Sequence, residues 1–170
     1  KPDTQIFRAL KRMVSTHISD GWFQNSVLLS ASENAFQWYQ AFQNFQVVND
    51  SQEVHKREFL KKVSSIVGAK YKETEISSFV TSISRVNDTG VVVSSLAGLI
   101  DGMKRNANNI KLSAKGQRAL LSLISSHSPS ARAGAIALAS QIELTPSDEL
   151  TSILSTAQGV LSDATNSLEN

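Results

Sequence analysis

Apolar residues recur along this chain at intervals of three and four. Ile6, Phe7, Leu10, Met13 and Val14 form one stripe, and Phe59, Leu60, Val63, Ile66 and Val67 form another. Ile76, Phe79, Val80, Ile83 and Val86 make a third. Val92, Val93, Leu96, Leu99, Ile100 and Met103 extend the pattern by a turn, and Leu150, Ile153, Leu154, Ala157 and Leu161 close it. A period near 3.6 places each set on one side of a helix, and no segment alternates as a half-buried strand would. The β-branched run Val91–Val93 lies inside a longer helical stripe. The pattern predicts helices over 3–16, 20–31, 33–45, 52–67, 73–86, 89–106, 113–127, 129–141 and 146–162.

Polar punctuation supports these limits. Ser128 is placed to cap a helix whose first residue is Pro129, where a missing N–H removes no helical bond. Thr145-Pro146-Ser147-Asp148 repeats the device, with Asp148 placed for a capping box. Ser51 is expected to cap the helix over 52–67, and Gly68 to end it in a left-handed turn. Asp88, Ser113 and Ser32 are further caps. Connections are short, so neighbouring helices are expected to pack antiparallel, in about four hairpins. Such hairpins bury their apolar edges by stacking on one another. The expected fold is an all-α superhelix over residues 1–162, with 163–170 as a tail or linker.

Composition fits a folded domain: 170 residues, 41% hydrophobic and 19% charged, with only three prolines. All 17 Lys and Arg lie at or before Arg132, against ten acids up to Ile142; five acids and no base follow. Basic residues cluster at Lys11-Arg12, His55–Arg57 with Lys61-Lys62, Lys70/Lys72 and Lys104-Arg105. Interleaved Glu53, Glu58, Glu73 and Glu75 dilute that field, which argues against a nucleic-acid partner. Cysteine is absent, which excludes disulfides, thiolate metal sites and haem attached through C-x-x-C-H. No apolar run is long enough to span a bilayer. The start at Lys1, without Met, is expected of a piece cut from a longer protein.

Candidate chemistry is sparse. His17, His55 and His127 are far apart and lack metal-ligand spacing. No G-x-S-x-G, G-x-G-x-x-G or P-loop occurs. No catalytic, cofactor or metal residue is expected within the segment. Seven of the eleven aromatic residues fall between Trp22 and Phe45. They can form an aromatic core or, where exposed, a docking patch; Trp38 and Phe45, with Lys104 and Arg105, are the candidate interaction residues.

Residues 118–142 resemble a HEAT repeat: a leucine-rich first helix, the corner Pro129, then Arg132 and an alanine-rich second helix. The resemblance implies that Pro129 and Arg132, with Trp22 in the first hairpin, are structural corner residues, Arg132 binding carbonyls or acids at the bend. A longer series is similar to the HEAT-like region of membrane-bound dehydrogenases of the planctomycete type. It comprises Asp20-Gly21-Trp22, Gly68-Ala69, Gly98-Leu99 to Arg105, and the hairpin above. Gln24 stands where that region more often carries Arg. In that family the HEAT-like region lies between a sugar-dehydrogenase-like propeller and a cytochrome c domain. The resemblance therefore implies a non-catalytic spacer in an extracytoplasmic, periplasmic bacterial enzyme. Haem c and a quinone-type cofactor would belong to the flanking domains, which would be this segment's partners. A free-standing adaptor for a protein or peptide is the alternative, and a HEAT-type nucleic-acid binder a further one.

Overall fold

The structure, a computed structural model, describes residues 4–30, 32–47, 49–104, 106, 109–148, 150–153 and 155. Its helices are α1 (Thr4–Thr16), α2 (Gly21–Ser30), α3 (Ala35–Phe42), α4 (Asp50–Lys70), α5 (Glu73–Ile83), α6 (Thr89–Met103), α7 (Ala114–Ile124) and α8 (Pro129–Ala139). A 3-10 turn, Ser32–Asn34, precedes α3. Helical backbone resumes at 148, 150–153 and 155. The class is all-α. Among the described residues the one departure is a pair of two-residue strands, β1 (Ile110–Lys111) and β2 (Ile142–Glu143), which run parallel with Ile110 opposite Ile142.

Local chemistry sets most helix starts. Asp88 accepts the Val91 N–H at 3.1 Å, Ser113 that of Gly116 at 3.2 Å, and Ser128 that of Ala131 at 3.3 Å. Each quiets one donor that a first turn leaves without a partner. Asp20, not foreseen as a cap, accepts from Trp22 and Phe23. Asn49 rather than Ser51 caps α4, through the Gln52 N–H at 2.9 Å. Ser147, not Thr145, receives the Leu150 N–H. The expected end of α4 at Gly68 is also corrected: the helix runs on to Lys70, and Tyr71 takes the left-handed turn at φ 53°.

Gly68 is used for packing instead. It lies against Leu99, Gly102 and Met103 of α6, while Gly98, a turn earlier on α6, lies against Lys61 and Ser64 of α4. A Cβ at Gly102 would meet the Ser65 carbonyl oxygen and lie 2.8 Å from the Ala69 nitrogen; one at Gly98 would meet the Lys61 carbonyl; one at Gly68 would meet the Leu99 carbonyl oxygen and stand 3.2 Å from the Gly102 Cα. Only hydrogen side chains let two backbones come this close.

Consecutive helices pair, α1 with α2, α3 with α4, α5 with α6 and α7 with α8. From α2 onward each also packs on the helix two places along, giving one row α2–α4–α6–α8 and another α3–α5–α7. The contact between α4 and α6 is the most extensive. Between the rows lies a continuous apolar core that includes Tyr39, Phe42, Phe59, Phe79, Leu96 and Leu99, all fully buried. Rings interlock there: Tyr39 and Phe79 are 4.4 Å apart, and Phe42 and Phe59 5.3 Å at 69°.

Polar side chains stitch the connections to this frame. Buried Gln117 donates to the Thr145 carbonyl at 2.5 Å and accepts the Thr145 N–H at 2.9 Å, as a neighbouring strand would. The Ser113 N–H donates to Ser77 on α5 at 2.9 Å. Gln24 is buried, donates to the Ile18 carbonyl and accepts from Lys62 of α4 at 3.1 Å. The amide thus links hairpin to hairpin where an arginine would have used charge.

Candidate binding groove

The α3–α5 contact is slight, and a trough of about 520 Å³ opens between these helices and reaches the start of α7. Phe36 and Gln40 on one face of α3, with Gln43 and Asn44 in the turn that ends it, form one wall. The facing wall carries Ser78, Thr81 and Ser82 on one face of α5, with Arg85 in the turn just past its end; Lys115 closes the trough. Ser82 donates to the Gln43 side-chain oxygen at 2.9 Å and ties the walls together. Ser78 and Thr81 donate back to the carbonyls of Thr74 and Ser77 at 2.8 Å. Their protons are committed, so they present lone pairs to the trough. Arg85 and Lys115 are exposed and make no side-chain hydrogen bond or ion pair among the described residues. The trough therefore offers hydroxyl acceptors, amides of both polarities and two unpaired cations, with no acid in its lining.

A second cavity of about 660 Å³ continues past Arg85, between the turn after α3 and the turn after α5. Its floor carries a balanced charge network. Glu53 approaches Lys56 at 3.4 Å and Arg57 at 3.5 Å, and Arg57 reaches Asp88 at 3.5 Å. Lys56 is buried, so Glu53 is its compensating charge. Burial alone would raise the Asp88 carboxyl. The Val91 N–H, the Arg57 guanidinium and bonds toward Glu53 and Gly90 outweigh it and hold the group below its ordinary value. The Arg57 Nε is buried and, beyond its 3.5 Å ion pair with Glu53, has no hydrogen-bond partner among the described residues.

The expected interaction residues do not gather here. Trp38 is 3% exposed and stacked on Phe42 at 5.8 Å, so it belongs to the core and is withdrawn as a surface anchor. Phe45 is half-buried and packs edge-on to the same Phe42; it also lines the second cavity. Lys104 is exposed at the end of α6 and pairs with Asp101 at 3.0 Å. Arg105 lies outside the described residues.

Of the corner residues, Pro129 stands at the first turn of α8 as expected. Arg132 is exposed and makes no side-chain bond at the bend among the described residues, which corrects its expected role. Trp22 is 86% exposed and is not a packed corner either; with Leu29, 82% exposed, it marks an apolar side of α2.

Sequence reasoning missed Arg85, Lys115, Gln40 and Gln43. Their signal is a polar stripe, Ser78, Thr81, Ser82 and Arg85, at the same helical period as the apolar one beside it. Among the described residues no helix is long and apolar enough to cross a membrane, and no three His, Asp or Glu gather as metal ligands. Set against known protein families, curated proteins and solved structures, the chain matches none of them.

Proposed function

We infer that this chain is a non-catalytic helical-repeat scaffold, a HEAT-like α-α superhelix whose task is to hold a protein segment against its surface. The observation that carries this is the packing of helices α2 to α8 each on the one two places along, in two rows with unequal spacing. Glycines draw α4 and α6 together, while α3 and α5 stay apart and leave a trough. Stacked hairpins of unequal row spacing curve, and they build long surfaces suited to protein segments. The polar groups of the trough are spread along two helix faces instead of converging on one reacting atom, which favours binding over chemistry.

Placement between a propeller and a cytochrome c domain of a periplasmic dehydrogenase rests on the sequence resemblance. Gly68, Gly98 and Gly102, which carry much of that resemblance, meet at one helix crossing. Any chain sharing the crossing would need them, so they argue for a shared fold more strongly than for a shared enzyme. Coding sequence for a C-x-x-C-H motif downstream would support that placement, and an unflanked gene would remove it, leaving the free-standing adaptor.

The scaffold itself is tested by a photo-crosslinking residue placed at Gln40, at Trp22 or at Arg132 in the full-length protein in its native cells. Discrete crosslinks to one polypeptide, or to a flanking domain of the same chain, are expected from at least one position. Silence at all three would overturn the scaffold, as would substrate turnover by the purified segment.

A further inference from the structure

We propose that the α3–α5 trough binds an extended peptide bearing carboxylate side chains; this rests on the scaffold proposed above and names its ligand. Three observations converge. First, the trough is linear. From Ser78 on α5 to Arg85 in the turn just past it, this wall rises about 10 Å at helical pitch, the length of roughly three residues of extended chain. Second, its polar groups recur once per turn on both walls: Gln40 then Gln43 and Asn44 on one side, Ser78 then Thr81 on the other. Amides that donate and accept, facing hydroxyls whose free lone pairs only accept, match the alternating C=O and N–H of a peptide main chain. A compact anion would instead need donors converging on a point. Third, the charge is one-sided. Arg85 and Lys115 stand along the trough without partners among the described residues, and no acid lines it. Carboxylates spaced along the peptide would supply both counter-ions, and a basic peptide would be repelled.

The test is fluorescence anisotropy at low ionic strength with the intact chain and a labelled peptide of alternating Glu and Ala. A Gln–Ala peptide and inorganic phosphate serve as competitors. The Glu–Ala peptide is expected to bind, to weaken as salt rises, and to resist displacement by either competitor at equal concentration. Arg85→Glu and Lys115→Glu alter exposed side chains, so an unchanged circular dichroism spectrum is expected, with binding about tenfold weaker in each. Lys115→Gln, with charge removed but not reversed, should fall between. Three results would overturn the proposal: no binding of the Glu–Ala peptide, binding indifferent to both reversals, or displacement by phosphate at equal concentration. Crosslinks at Trp22 or Arg132 with no acidic peptide in the trough would sink this inference and leave the scaffold standing.

Discussion

Single side chains in this molecule do work that their residue type does not announce. Tyr39 is fully buried, with its hydroxyl paired to that of Ser95 at 3.1 Å. Burial pushes the phenol from 10.0 up to about 12, against a smaller lowering by Ser95. An unfolded chain gives up this proton near pH 10, and the folded chain keeps it until about pH 12. The stabilisation is therefore complete below pH 10 and drains away as pH rises toward 12, by about 3 kcal/mol in all. Tyr39→Phe has no proton to lose. At pH 8 it should be less stable by about 1 kcal/mol for the missing hydrogen bond. Urea unfolding should then show the gap closing above pH 10 and reversing near pH 11. A gap that stays constant across that range would mean the phenol is not shut away from water. None of this was legible in the sequence, where Tyr39 is one aromatic among seven. Arg85 was equally hidden: its importance comes from the acids it does not meet, and pairing across helices is not written in local spacing.

Helix limits divide by how local their causes are. Ser128, Asp88 and Ser113 each bond a residue three places on, and all three were readable as caps. Gly68 was misread because its role is decided by α6, thirty residues away. Alone it looks like a terminator; against Leu99 and Gly102 it is a contact surface, and the left-handed turn passes to Tyr71, at a cost of about 1–2 kcal/mol. The strands β1 and β2 escaped notice because two residues carry no period, and what holds them is distant in sequence: the pairing of buried Ile110 with buried Ile142, and the Lys111 N–H donating to Glu73 of α5. For an element held by a local device, the effect of its loss is also local. Ser128→Ala should cost about 1 kcal/mol through one unsatisfied N–H at the start of α8. That is a fall in Tm of about 2–4 °C for a chain of this size. Thr145→Ala should leave helical content unchanged, because Ser147 makes the cap. Thermal melts by circular dichroism separate the two variants, and equal losses would restore Thr145 as the cap.

On the scale of the whole molecule, α4 against α6 is the most extensive helix contact, and in the stacked array proposed above it is the principal seam. In a stacked array each pair is held by its own packing and by its neighbours, so weakening one seam uncouples the parts on either side. A closed bundle has no such seam and loses cooperativity nowhere in particular. Gly98→Ala with Gly102→Ala places methyl groups against the Lys61 and Ser65 carbonyls and must push α6 away from α4. Overpacking of this kind costs about 1–3 kcal/mol per site. Both tryptophans, Trp22 and Trp38, belong to the hairpins before that seam. Their fluorescence reports the first half of the stack alone, while the far-ultraviolet dichroism reports every helix. In urea the native chain should give coincident transitions by the two probes. In the double variant the fluorescence transition should part from the dichroism transition, with α1–α4 and α5–α8 unfolding as separate units. Coincident curves, merely displaced to lower urea, would describe one indivisible core. The stacked scaffold would then have to be abandoned in favour of a closed bundle.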